Sequence, residues 1–199
     1  MKATALGVAI GLCLLTAPVG AFAQGGLELT LGVGTGSGTI NCSACTHAGK
    51  MSGTTYSMQV VEKVNPHLRA GWTIDSWSHA QGDWDREIGA LNAVLFYYPG
   101  SVRHSGFFIG GGPSYSIMVA SVTDTTGLQR HGWGFAAELG YDIVPRKEFS
   151  LTPYVQYSHA WVGDVYYPKG SINPFARDWK HQVLSLGLGV TWHERHSGH

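Results

Sequence analysis

From Leu184 to Trp192 every second residue is large and apolar: Leu184, Leu186, Leu188, Val190 and Trp192 alternate with Ser185, Gly187, Gly189 and Thr191. Two residues is the period of an extended strand, whose successive side chains point to opposite faces. A chain patterned in this way carries a wholly apolar sheet face that something must cover. The pattern recurs in Leu27, Leu29, Leu31 and Val33, set against Glu28, Thr30, Gly32 and Gly34. It recurs again in Trp133, Phe135, Ala137, Leu139, Tyr141 and Ile143, set against Gly134, Ala136, Glu138, Gly140 and Asp142. Weaker alternation predicts further strands near residues 53–62, 69–78, 88–98, 106–118 and 149–162, which makes eight. No helical period, internal repeat or low-complexity linker competes with it.

The connections are also patterned. Short turns are expected at Asn65-Pro66, Pro99-Gly100 and Pro145-Arg146-Lys147, and longer segments at about 36–52, 79–87, 119–131 and 163–180. Strict alternation of short and long connections is what a membrane barrel requires, with tight turns on the periplasmic side and larger loops outside. Strands of about ten residues, rising roughly 3.4 Å per residue and tilted by about 45°, cover an apolar band of roughly 25 Å. The predicted fold is therefore all-β, an eight-stranded antiparallel up-and-down transmembrane barrel. Eight strands leave a lumen filled by side chains.

A soluble eight-stranded barrel of the lipocalin kind also alternates, with its apolar face turned inward. Composition separates the two. Charged residues make up 13% of the chain, against roughly 25% in soluble domains, and there are 28 glycines. With the leucines of the last run turned inward, the outer surface would be Ser, Gly and Thr with almost no Lys or Glu to keep it soluble. Turning the large apolar set into lipid satisfies both environments, because Gly, Ser and Thr fit a crowded lumen. Trp72, Trp133, Trp161, Trp192, Tyr97, Phe107 and Tyr141 fall mostly toward the ends of the runs, where interfacial aromatic girdles are expected. Ordinary strand aromatics are the bland alternative.

Residues 1–23 read as an export signal: Met1-Lys2, an apolar run from Ala5 to Leu15, and the small-x-small cleavage site Ala21-Phe22-Ala23. Cys13 then leaves with the signal, and the bulky Leu12 before it disfavours lipidation. Residues 24–192 form a single barrel domain, and 193–199 a short C-terminal tail. Loss of Lys2 leaves 12 basic residues against 13 acidic ones, so no electrostatic case exists for nucleic acid. No apolar run of 18 residues follows the signal, which excludes a transmembrane helix.

The chain resembles the small outer-membrane β-barrel family, the eight-stranded group of OmpA-like and OmpX-like barrels. The resemblance is carried by the signal, Gly106-Phe107-Phe108-Ile109-Gly110-Gly111-Gly112, Gly140-Tyr141-Asp142-Ile143, Ser150-Leu151-Thr152-Pro153-Tyr154-Val155 and Leu186-Gly187-Leu188-Gly189-Val190-Thr191-Trp192. The last segment is similar to the family's assembly signal, although seven residues follow Trp192 where many members stop. The resemblance implies residence in the bacterial outer membrane, contact with lipopolysaccharide, and recognition by the barrel-assembly machinery during insertion. It implies a structural or surface-interaction role, with a lipid A deacylase-like enzyme or a narrow pore as alternatives.

Catalytic chemistry finds little support. Ser158 and His159 are adjacent and so face opposite ways, and no His-x-Ser pair falls within a predicted strand. Non-enzymatic function, with no catalytic, cofactor or metal residues, is the expectation. Inward-facing Glu28, Glu138 and Asp75 call for hydrogen-bonding or charged partners; Arg69 and Gln156 are available, and a lumenal polar network is expected over an ion pathway. The histidines of 193–199 are weak metal ligands at best, in what reads as a disordered periplasmic end. The segment 163–180 offers Tyr166, Tyr167 and Trp179 for a partner or sugar surface.

Cys42 and Cys45 lie in the first long connection. Haem attachment needs CxxCH, and Thr46 separates Cys45 from His47. A thioredoxin-like role needs a βαβ setting that is absent, and a zinc site lacks a convincing fourth ligand. A local disulfide on an outer loop is the expectation, since the route outward is oxidising; metal binding and free thiols are the alternatives.

Overall fold

All eight predicted strands are present, and they close on themselves. In the computed structural model β1 (Leu27–Asn41), β2 (Met51–Asn65), β3 (Leu68–Gln81), β4 (Trp84–Tyr97), β5 (Ser105–Val122), β6 (Thr126–Arg146), β7 (Phe149–Val165) and β8 (Ala176–His193) pair antiparallel with their sequence neighbours. β8 returns to β1 in a ladder running from Glu28↔His193 to Asn41↔Lys180. The structure describes residues 26–42, 49–81, 84–100, 105–122, 126–146, 148–165 and 176–193. Closure gives each strand a neighbour on both sides, so backbone groups in hydrocarbon find partners within the sheet.

The direction of the alternation is as composition required. Leu184, Leu186 and Leu188 are 55%, 62% and 50% exposed, while Ser185 between them is 4% exposed. Leu27, Leu29, Leu31 and Val33 on β1 point outward in the same way, as do Phe107 and Ile109 on β5 and Leu139, Tyr141 and Ile143 on β6. A belt of this extent around a whole barrel far exceeds the few hundred Å² of contiguous apolar surface that a soluble monomer tolerates. Only lipid covers it. The seven aromatics assigned to girdles all face outward. Phe107 pairs with Tyr141 near the turn-bearing end, and Trp133 pairs with Trp161 toward the other.

The connections do not alternate strictly as expected. Between the end of β4 at Tyr97 and the start of β5 at Ser105 the chain is longer than the short turn expected at Pro99-Gly100, and outer connections are shorter than expected. β3 runs to Gln81 and β4 begins at Trp84, and β5 runs to Val122 before β6 begins at Thr126. The segments 79–87 and 119–131 are thus mostly strand, leaving 42–50 and 166–175 as the long outer connections. β5, β6 and β8 span 18, 21 and 18 residues, well beyond the roughly 9–11 that cross a bilayer. Toward the outer ends of the strands the outward positions turn polar, as at Asp85 and Glu87. In sequence that polarity reads as loop, but the ladder continues through it, with Ser78↔Glu87 and Ala80↔Asp85 still paired.

Close packing inside the barrel fixes several glycines. The Tyr154 ring lies across the lumen, its hydroxyl 3.0 Å from Ser57 Oγ. A Cβ on Gly187 would fall 2.4 Å from that ring, and one on Gly32 would fall 2.3 Å from Ser57 Oγ. Gly163, at φ 78, carries the register shift where β7 meets β8, a backbone conformation that side-chain-bearing residues seldom adopt.

If the leucine face lies in hydrocarbon, Leu188→Lys near the middle of the β8 belt is expected to destabilise the barrel by about 2–4 kcal/mol. Ala80→Lys, beyond the belt where Ala80 pairs with Asp85, should cost about 0–1 kcal/mol. Urea unfolding in lipid vesicles measures both, and equal effects at the two positions would contradict the assignment.

Candidate functional site: the lumen and its rim

Because inward positions recur every second residue on eight strands, side chains far apart in sequence meet inside the barrel at successive levels. Nearest the short turns, Arg69 of β3 organises an ionic cluster. Its Nη1 lies 2.7 Å from Glu28 Oε2 and 3.2 Å from Asp142 Oδ2. It also donates to the Tyr98 hydroxyl at 2.7 Å, and its guanidinium sits 4.3 Å from the centre of that ring. The Tyr98 hydroxyl donates in turn to Asp142 Oδ2 at 3.0 Å, and Thr152 donates to Asp142 Oδ1 at 2.7 Å. His193 closes the base of the cluster, with Nδ1 3.2 Å from Glu28 Oε1 and Nε2 3.2 Å from Ser150 Oγ.

At mid-height the groups are carboxylates and amides. Gln59 Nε2 donates to both oxygens of Glu138, at 3.0 and 2.9 Å. Asp75 Oδ2 accepts from Thr73, Asn92 and Gln156, the last at 2.7 Å. Beneath them Val61, Val94, Phe96, Tyr98 and Phe108 pack together, with the two phenylalanine rings edge to face at 5.2 Å.

Toward the outer end the lumen becomes apolar. Ile40, Trp77, Ile88, Met118, Val162, Trp179 and Val183 form one buried cluster, with Cys42 and Met51 packed against it. The Trp77 indole donates to Gly36 O at 3.2 Å. At the level of this cluster, between Val183 and Trp179 on β8, His181 contacts Ser116, Nε2 to Oγ at 2.7 Å. The Ser116 hydroxyl is directed to Gly89 O at 3.1 Å, and His181 Nδ1 has no partner among the described residues. Among the described residues no acid hydrogen-bonds this imidazole in the way a nucleophile-activating pair is oriented.

Set against the sequence-based expectations, Glu28, Glu138 and Asp75 all face inward and find polar partners, in three separate groups: Glu28 with Arg69, Glu138 with Gln59, and Asp75 with Thr73, Asn92 and Gln156. Arg69 pairs with Glu28, and Gln156 serves Asp75. Gln59, Tyr98 and Asp142 were not foreseen as partners; Gln59 and Asp142 occupy inward positions of their strands, and Tyr98 directly follows β4. Ser158 lines the lumen while His159 faces out against Trp161 at 4.4 Å. Trp179 requires correction. It lies on β8, 7% exposed within the apolar cluster, because the strand begins earlier than its polar outward face suggested; it is no loop contact residue. His193 is likewise the last residue of β8 rather than part of a free tail. Tyr166, Tyr167 and Cys45 lie outside the described residues, as do residues 1–23 and 194–199.

No protein-family model and no curated protein matches the sequence. Solved structures do. Neisserial surface protein A superposes with a TM-score of 0.58 at 13% identity, over 81% of this chain and 96% of that one. The outer membrane protein AlkL, determined in DMPC bilayers, gives 0.56 at 13% identity, over 92% and 96%. OprG of Pseudomonas aeruginosa gives 0.51 at 16%, over 85% and 97%. At these identities the likeness establishes the fold, that of the small eight-stranded outer-membrane β-barrels. Joined to the lipid-facing belt, it makes this chain a membrane-spanning β-barrel of that fold, with a lumen packed by an ionic cluster at one end and apolar side chains at the other.

Arg69 is the cation that balances two buried carboxylates. Arg69→Met should therefore destabilise the barrel by about 3–5 kcal/mol, the cost of leaving buried charge unpaired. The urea midpoint in vesicles reads this, and a loss under about 1 kcal/mol would show that the cluster is well hydrated instead.

Proposed function

We propose that this chain is a non-enzymatic outer-membrane barrel with a structural or surface-interaction role, in which the outer connections carry whatever binding occurs. The observation that supports this reading is the packed lumen. The cluster around Trp77 and Trp179 fills the outer end, and the Arg69 cluster fills the other. Such a lumen favours neither a pore nor a solute cavity, which leaves the exterior as the working surface.

Topology supports one sector of the rim as that surface. The two long connections, 42–50 and 166–175, leave from β1–β2 and β7–β8, and β8 pairs with β1. Both therefore rise from one contiguous sector of the rim. Tyr166 and Tyr167 belong to one of them. The proposed Cys42–Cys45 staple belongs to the other, and it is supported by Cys42 not standing as a free thiol. Lipopolysaccharide around the outer leaflet, and the assembly machinery acting on the closing strand that ends in Trp192, are the partners on this reading.

In planar bilayers the purified barrel should show no stable conductance, whereas Trp77→Ala combined with Trp179→Ala should open measurable current. Steady conductance from the unmodified barrel would favour the pore. Expression should leave lipid A unchanged in mass, and loss of an acyl chain would favour the enzyme. Intact-mass analysis without reductant should find the mature chain two hydrogens lighter than the dithiol; two alkylatable thiols would remove the staple.

A further inference from the structure

Asp75 and Glu138 both face mid-lumen, and neither is ion-paired among the described residues, Arg69 being engaged by Glu28 and Asp142. Asp75 has hydrogen-bond partners, namely Thr73, Asn92 and Gln156, but no charged one among the described residues. All three donate to the same oxygen, Oδ2. The other, Oδ1, is buried and has no partner among the described residues, and neither has Thr55 Oγ1. Both residues line one small void of about 20 Å³, together with Gln156, Ser158 and Ser185 beneath the Trp77 ring.

We propose that this void is a binding site for a single monovalent cation of about the size of sodium, held by Asp75 Oδ1, Thr55 Oγ1 and the neighbouring hydroxyl and amide oxygens. Size admits one water-sized occupant, since a void needs roughly 10–15 Å³ to hold even one. Chemistry selects a hard cation, because the polar donors are oxygens and no thiolate or imidazole lines the void. Charge selects a monovalent one. A single carboxylate with neutral oxygens balances one positive charge, and the described residues contain no group of three His, Cys, Asp or Glu suited to a higher-valent metal. The site lies among strands β2, β3, β7 and β8, so its occupant ties the two halves of the barrel together.

The test uses the full mature chain folded in a neutral detergent, with thermal unfolding followed by the shift between folded and unfolded gel migration. Sodium chloride is compared with choline chloride at matched ionic strength. Raising sodium from about 1 to about 300 mM should lift the midpoint by about 3 °C or more, whereas choline should not. Asp75→Asn should abolish the sodium-specific part. Thr55→Val, which keeps the carboxylate and nearly the same shape, should shift the response to several-fold higher sodium. Equal responses to sodium and choline would mean general screening and overturn the site. A sodium response that survives in Asp75→Asn would place the ion elsewhere, and no response to either salt would leave water as the occupant.

Discussion

Closure of β8 onto β1 is the constraint on which everything else rests. Hydrocarbon offers no hydrogen bonds to an unpaired strand edge, so a sheet can enter a membrane only if it has no edges. Once the fourteen-pair ladder from Glu28↔His193 to Asn41↔Lys180 forms, each strand has a lipid side and a lumen side, and the period of two sorts every residue to one or the other. The leucines of β8 and the glycines, serines and threonines between them are two answers to this one geometric demand.

The lumen follows from the same closure. Eight strands enclose a space too narrow for bulk water yet lined by the residues least suited to lipid. Polar side chains placed there must find one another, and they do so across large sequence separations: Gln59 with Glu138, Ser57 with Tyr154, Ser116 with His181. Where large rings cross, the facing strand supplies glycine, as Gly32 and Gly187 do for Tyr154. The high glycine content is thus as much a packing requirement of a narrow barrel as a sign of turns. Local stability is uneven as a result, with a charged cluster near the short turns and an apolar one beneath the outer rim.

Strand number, direction of the apolar face and girdle aromatics were legible in the sequence because each rests on local periodicity and bulk composition. Glu28, Asp75 and Glu138 were legible as inward groups for the same reason. Their partners were harder to read, because Gln59 meets Glu138 only through the curvature and register of the closed barrel. Strand ends were misjudged where the barrel leaves the membrane. Toward the outer ends the outward face of a strand turns polar, as at Asp85 and Glu87, and the apolar alternation that marks a strand in lipid disappears while the hydrogen-bonded ladder continues. That is why the segments at 79–87 and 119–131 looked like loops, and why Trp179, buried inside the barrel, looked like a surface contact.

The measurement that bears most directly on the barrel's orientation is a nitroxide scan along β8 in lipid bilayers, one label at a time from residue 184 to 190. An outward-apolar barrel gives a two-residue period, with collisions from membrane-dissolved oxygen highest at Leu184, Leu186, Leu188 and Val190 and a water-soluble nickel complex excluded there. A nickel complex that reaches those four positions freely, with oxygen favouring 185, 187 and 189 or neither set, would contradict it and return the chain to the soluble barrels.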